Sequence, residues 1–155
     1  MSNEDLCYLS ASAALALFGK RKLSPLELMT DLISRAEQVN PAINCFADRY
    51  YEQALLKARA AEARYMKRGG GTAPLEGIPL AVKDAQRVAG KRTTHGSLIF
   101  KDSVDAVSDP MIERLEQAGA IIFARTTTPE FCLSGVTHSR IWGVTRNPWN
   151  TDWGP

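Results

Sequence analysis

Histidine and cysteine are scarce in this chain: His95 and His138 are the only examples of the first, Cys7, Cys45 and Cys132 of the second. Two histidines cannot build a histidine-rich metal centre. The cysteines are odd in number, widely spaced and without a Cys-x-x-Cys pair, which excludes a zinc ribbon and a disulfide framework. An excess of one charge is also missing. Nineteen basic and seventeen acidic residues leave a net +2. The one basic run, Lys20-Arg21-Lys22, reads as a solvated loop, so no nucleic-acid partner is expected. No apolar run approaches the length of a membrane span. Glu4 and Asp5 put the wrong charge ahead of the first apolar stretch for a secretory leader. A cytoplasmic chain with no membrane partner follows. With 45% hydrophobic and 23% charged residues the composition is that of an ordinary globular protein, and 155 residues suit one domain.

The first half carries helical patterns. Residues 10–19 are rich in Ala and Leu and stop at Gly19. Ser24 as N-cap, Pro25 at the first helical position and Glu27 as the returning carboxylate predict a capped helix. Its apolar stripe is Leu28, Met29, Leu32, Ile33 and Ala36, with Asn40-Pro41 as its end. A short extended piece follows near Asn44-Cys45-Phe46. Asp48 is then expected to open a third helix, with Tyr51, Ala54, Leu55, Ala58 and Ala61 along one side. Gly69-Gly70-Gly71 marks the internal boundary and reads as a linker, because no Gly-Lys-Ser/Thr follows it. In the second half the period changes. Residues 78–83 predict a buried strand, Asp109-Pro110 the N-cap and first turn of a helix ending at Gly119, and Ala120–Ala124 a second buried strand. Strand, helix, strand is a βαβ unit with a parallel pair. The stretch 84–108 is long for a connection, which marks it as a functional or covering loop.

Lys83 is the most informative residue. A lysine at the end of an apolar strand is costly unless paired, solvated or used, and burial would favour the neutral amine of a general base. The competing reading is a lysine snorkelling from a sheet edge beside a carboxylate such as Asp84. On the residues alone the two stand level. Glu130, just past the second strand, is equally balanced between an acid shaping a site and a first-turn carboxylate after Pro129. His95 with Ser97, and His138 with Ser139, read as turn residues, since sequence neighbours rarely have triad geometry and no Gly-x-Ser-x-Gly elbow exists. Cys132 with His138 is a weak nucleophile candidate lacking an activating pattern.

The run Leu75-Glu76-Gly77-Ile78-Pro79-Leu80-Ala81-Val82-Lys83-Asp84 resembles the lysine motif of the amidase signature family. The likeness continues through Val88-Ala89-Gly90, Thr93-Thr94, Gly96-Ser97, Asp109, Arg114-Leu115, Gly119-Ala120-Ile121-Ile122 and Thr128-Pro129-Glu130-Phe131 to Thr145-Arg146-Asn147-Pro148-Trp149-Asn150. It covers nearly the whole chain. The resemblance implies an α/β fold: residues 1–155 as an incomplete N-terminal portion of one amidase domain, with a helical part over 1–68 and the start of the α/β core over 75–155. That core would be a βαβ portion of a mixed sheet covered by helices. It implies cleavage of a carboxamide C–N bond through a Ser–cis-Ser–Lys acyl-enzyme mechanism on a small-molecule amide, with no metal or cofactor. Lys83 matches the lysine; both serines of the triad are expected beyond Pro155, which leaves this chain by itself inactive. The resemblance does not identify the substrate-binding residues. The chain departs from the family pattern at Ala85, Arg87, Arg92, His95, Arg125 and Thr127. Two alternatives remain: a structural module that self-associates as a homo-oligomer through an exposed sheet or helix surface, and, ranked lower, an amidotransferase A-like subunit.

Overall fold

A computed structural model describes residues 6–67 and 72–155; the glycine triplet 69–71, with Glu4 and Asp5, lies outside them. Helix α1 spans Ala11–Gly19, α2 Pro25–Ile43, strand β1 Phe46–Arg49, α3 Tyr51–Met66, β2 Pro79–Lys83, α4 Pro110–Gln117 and β3 Ile121–Thr126. A small ribbon of β4 (His138–Ser139) and β5 (Gly143–Val144) follows. No helix among the described residues is long and apolar enough to cross a membrane.

The chain divides into two compact units. Of the described residues, one comprises 6–38, 50–67, 72–80 and 114–123, the other 39–49, 81–113 and 124–155. In the first, Ser10 Oγ caps α1 by accepting the Ala13 N–H at 3.1 Å. The capping box of α2 forms as the sequence predicts: Ser24 Oγ accepts the Glu27 N–H at 3.0 Å and Glu27 Oε2 accepts the Ser24 N–H at 3.4 Å. Leu6, Ala14, Phe18, Leu23 and Leu28 form an apolar cluster with Tyr65 and Ile78 packed on it. Helix α3 buries Ala54, Ala58 and Ala61 completely. Small side chains at helical spacing let the backbone of Gly77 come close. At Gly77 φ is +83° and an added Cβ would lie 2.7 Å from the Pro25 ring, so both the turn and the space require glycine.

Three sequence expectations need correction here. Asn40-Pro41 does not end α2, which runs to Ile43 with Pro41 inside its last turn. The Asn44 N–H still reaches the Asn40 carbonyl at 2.7 Å, and Asn40 Oδ1 accepts the N–H groups of Cys45 and Phe46. The helix stops at Asn44, which takes φ +51°, a conformation asparagine tolerates. Asp48 does not open α3. It lies in β1, and its carboxylate accepts two bonds from Arg92 at 2.7 and 3.2 Å. Asp109 precedes α4 as expected, but its carboxylate serves Arg87 instead of capping the helix.

The main sheet has the order β1-β3-β2. β1 is antiparallel to β3, with Phe46 opposite Thr126 and Arg49 opposite Ala124 across an irregularity. β2 is parallel to β3: Ile121 N–H bonds Ile78 O at 2.8 Å and Asp84 N–H bonds Thr126 O at 2.9 Å, so both strands advance in one direction. The predicted strand–helix–strand order holds, in a mixed sheet. Central β3 is buried from Ile121 to Arg125. β2 is not the buried strand the apolar run predicts. Val82 is buried but Ala81 and Lys83 are exposed. β2 is an edge strand of this sheet, and successive side chains point to opposite faces, of which only one is covered. The stretch 84–108, expected to be a functional or covering loop, is bonded within itself: Arg92 bridges Val104, and Gly90 with Asp105, and Thr93 with Ser103, are joined by backbone bonds.

Candidate active site

β2 and β3 end side by side, and the parallel ends of such strands are where α/β sheets place their chemistry. Lys83 is the last residue of β2. Its side chain lies on the exposed face, and no salt bridge engages it among the described residues. Of the two readings left level by the sequence, the exposure fits the lysine at a sheet edge and not the desolvated one, because alternation along an edge strand turns residue 83 to the uncovered side.

Burial falls instead on the next residue. Asp84 is 0% exposed, and all of its polar groups are in use. Oδ1 accepts the Thr94 N–H at 2.8 Å; Oδ2 accepts the Thr94 hydroxyl and, at 2.8 Å, the indole N–H of Trp142. Its backbone carbonyl accepts the His95 N–H at 3.0 Å. The guanidinium of Arg125, also fully buried, stands 3.8 Å from Oδ1 and donates to Gln86 O at 2.7 Å and Thr93 Oγ1 at 2.8 Å. Thr93 Oγ1 in turn donates to Asp105 Oδ2 at 2.5 Å. A buried carboxylate needs this many donors, since an unpaired one would be strongly disfavoured.

The loops after β2 and β3 lock together. Phe131 N–H bonds His95 O at 2.8 Å. Ser97 Oγ, fully buried, donates to Glu130 Oε1 at 2.6 Å. His95 and Phe131 both meet the ring of Phe100 edge to face. Gly96, at φ +67°, is pressed against this junction, where an added Cβ would lie 2.6 Å from Thr128 O. His95, Phe131 and Cys132 all take positive φ without being glycine, and such strain is held only where the surroundings fix it.

Other candidates fall elsewhere. Ser97 is engaged by Glu130 and not by His95, so the His95–Ser97 pair forms no dyad. Glu130 is exposed at the start of a 3-10 turn, Glu130–Cys132, and is spent on that serine. Ser139 Oγ accepts the Trp142 N–H at 3.1 Å, and exposed His138 lies in β4. Cys132 is exposed, its thiol 3.2 Å from Thr128 Oγ1. Arg92 is committed to Asp48 and to Lys101 O, with its guanidinium over the Trp142 ring at 5.1 Å. Two bonds from Arg87, first its backbone N–H and then its guanidinium, hold the Asp109 carboxyl below its ordinary range. Among the described residues no cluster of His, Cys, Asp or Glu suits a metal ion. Sequence reasoning missed Trp142 and Thr94 as partners of Asp84. The available signal was a tryptophan in a polar loop segment, whose N–H needs an acceptor once it is covered.

The profile of the Amidase family matches residues 27–155. The A-type chain of the glutamyl-tRNA(Gln) amidotransferase of Azoarcus sp. (strain BH72) is 40% identical over 131 residues, 84% of this chain and 26% of that protein. Acylamidase of Rhodococcus erythropolis is 34% identical over 149 residues, 96% of this chain and 31% of the relative. Among solved structures, a bacterial aryl acylamidase of the amidase signature family superposes with a TM-score of 0.87 at 28% identity, over 96% of this chain and 31% of that one. The chain thus spans roughly a quarter to a third of the length of the proteins it matches.

Proposed function

The chain belongs to the amidase family, and from that membership we propose that it supplies the lysine base of a hydrolase acting on carboxamide C–N bonds. The observation that carries the reading is Lys83 itself. It stands at the carboxyl end of a parallel strand, on a fixed backbone, with its side chain free to reach across the uncovered face. In the proposed reaction the neutral amine takes a proton through a bridging serine. The nucleophilic serine then attacks the amide carbonyl, and the proton passes to the departing nitrogen. Water, activated by the same relay in reverse, releases the acid from the acyl-enzyme. The two serines and the donors that hold the oxyanion belong, in this proposal, to sequence following Pro155, as does the cover that would desolvate Lys83.

Two assays test this. The purified 155-residue chain should not hydrolyse simple carboxamides. The complete product of its gene should, and Lys83→Ala there should lower kcat by roughly 10²–10⁴-fold. Lys83-dependent turnover by the 155 residues alone would overturn the first part; unchanged turnover in the substituted gene product would overturn the second. The 40% identity to a component of an amidotransferase favours a second reading, in which the amide is glutamine and the work is done with partner proteins on charged tRNA. Glutamine hydrolysis that appears only when such partners and tRNA are added would select it.

A further inference from the structure

We infer that Asp84 is a positioning residue for Lys83, with Trp142 as the clasp that closes over it. The inference rests on Lys83 being the base of the proposed reaction.

A fully buried carboxylate beside a buried guanidinium is weak grounds for stability, because well-packed apolar residues of similar volume commonly serve as well or better. What the pair gives here is location. The N–H of residue 84 is tied to Thr126 O, its C=O to the His95 N–H, Oδ1 to the Thr94 N–H, and Oδ2 to the Thr94 hydroxyl and the Trp142 indole. Three separate stretches of chain therefore converge on one residue: the loop after β2, the end of β3, and the segment before β5. Trp142 is itself held. Its carbonyl accepts from Asn44 Nδ2 at 2.7 Å and its ring lies under Arg92. The Lys83–Asp84 peptide cannot shift without breaking this set. Side chains alternate along the strand, so the same pinning that draws Asp84 inward directs Lys83 to the opposite, open face. The backbone is fixed and the amine left free, which suits a base that must meet a partner at a set point. A misplacement of about 1 Å at such a point can cost about 10²-fold in rate.

The asparagine of Asp84→Asn keeps an acceptor for the Thr94 N–H and loses the shorter of the two used by the Trp142 indole, leaving Thr94 Oγ1 at 3.1 Å. Its first readout needs no catalysis: nitrogen-15 NMR of the 155-residue chain. In Asp84→Asn the Trp142 indole N–H should exchange with solvent at least about tenfold faster, and the backbone order parameter of Lys83 should fall. Trp142→Phe, which removes one donor and leaves the Thr94 bonds, should lower the order at Lys83 by a smaller amount and serves if Asp84→Asn does not fold. Unchanged order at Lys83 in a folded variant overturns the inference. The second readout is turnover by the complete gene product, where Asp84→Asn should lower kcat about ten- to a hundredfold with KM within about twofold. Wild-type kcat there, with Lys83→Ala dead, overturns the positioning role alone. Full activity in Lys83→Ala would instead sink the proposed function, and the NMR result would still decide whether Asp84 orders residue 83.

Discussion

At the scale of single residues, the carboxylate of Asp84 and the missing side chain of Gly96 carry the sharpest consequences. Asp84→Ala takes a carboxylate from beside the buried Arg125 and removes the acceptor of the Thr94 N–H and one of the two acceptors of the Trp142 indole. Removing one partner of a buried pair typically costs about 3–5 kcal/mol, so urea unfolding followed by circular dichroism should show a loss in that range. At Gly96, alanine would meet both the positive φ and the backbone of Thr128 and Pro129. A loss of about 1–3 kcal/mol is expected from the backbone conformation alone, and a Gly96→Ala chain with wild-type stability would refute the interlocked-loop description. The place of Lys83 at the end of an apolar run was legible, and so were two possible environments for it; which of them holds was not, because which face of an edge strand is covered depends on what packs there. Trp142 was illegible for another reason: its partner lies 58 positions away, beyond any local pattern.

At the scale of elements, the signals that could be read were the local ones. Ser24, Pro25 and Glu27 specify the start of α2 within one turn, and the observed bonds match the expected box. Ser24→Ala should lower stability by about 1 kcal/mol and Ser24→Asp by much less, measured by thermal melting. Where a cap residue had a distant competitor, the local rule failed. Asp109 sits in a proper N-cap position, yet Arg87 supplies two bonds that a lone helix end cannot match. Those bonds lower the Asp109 pKa in the folded chain relative to its ordinary value of 3.8. The stabilisation is therefore fully present above that value and is lost as pH falls through the lower folded one. Asp109→Asn should flatten this part of the acid-unfolding profile, leaving stability less sensitive to proton concentration in the acid range. A profile identical to wild type would show that the pair contributes nothing.

At the scale of the whole molecule, the strand–helix–strand order followed from the change of period between the two halves and the mixed sheet from the family resemblance, whereas the division into two units followed from neither. Each unit is assembled from stretches far apart in sequence, and nothing in a local window records which stretches will meet. Arg92 and Asp48 illustrate this, joining residues 44 positions apart. Ile99, Leu133 and Trp149 are 78, 85 and 95% exposed, and exposed apolar side chains favour association where they lie together. The 155-residue chain is expected to associate at rising concentration in light scattering; a strict monomer with one cooperative transition would count against that. The clasp on Asp84 has a temporal side. Synthesis proceeds from the N-terminus, so the carboxylate leaves the ribosome well before the indole that completes its shell. Contacts of such long sequence separation slow folding, and until Trp142 arrives the growing chain holds, just past the end of an edge strand, a carboxylate still lacking one of its donors. The last step of ordering in this half should therefore be late, and a nascent chain cut before residue 142 should be the one that chaperones hold longest.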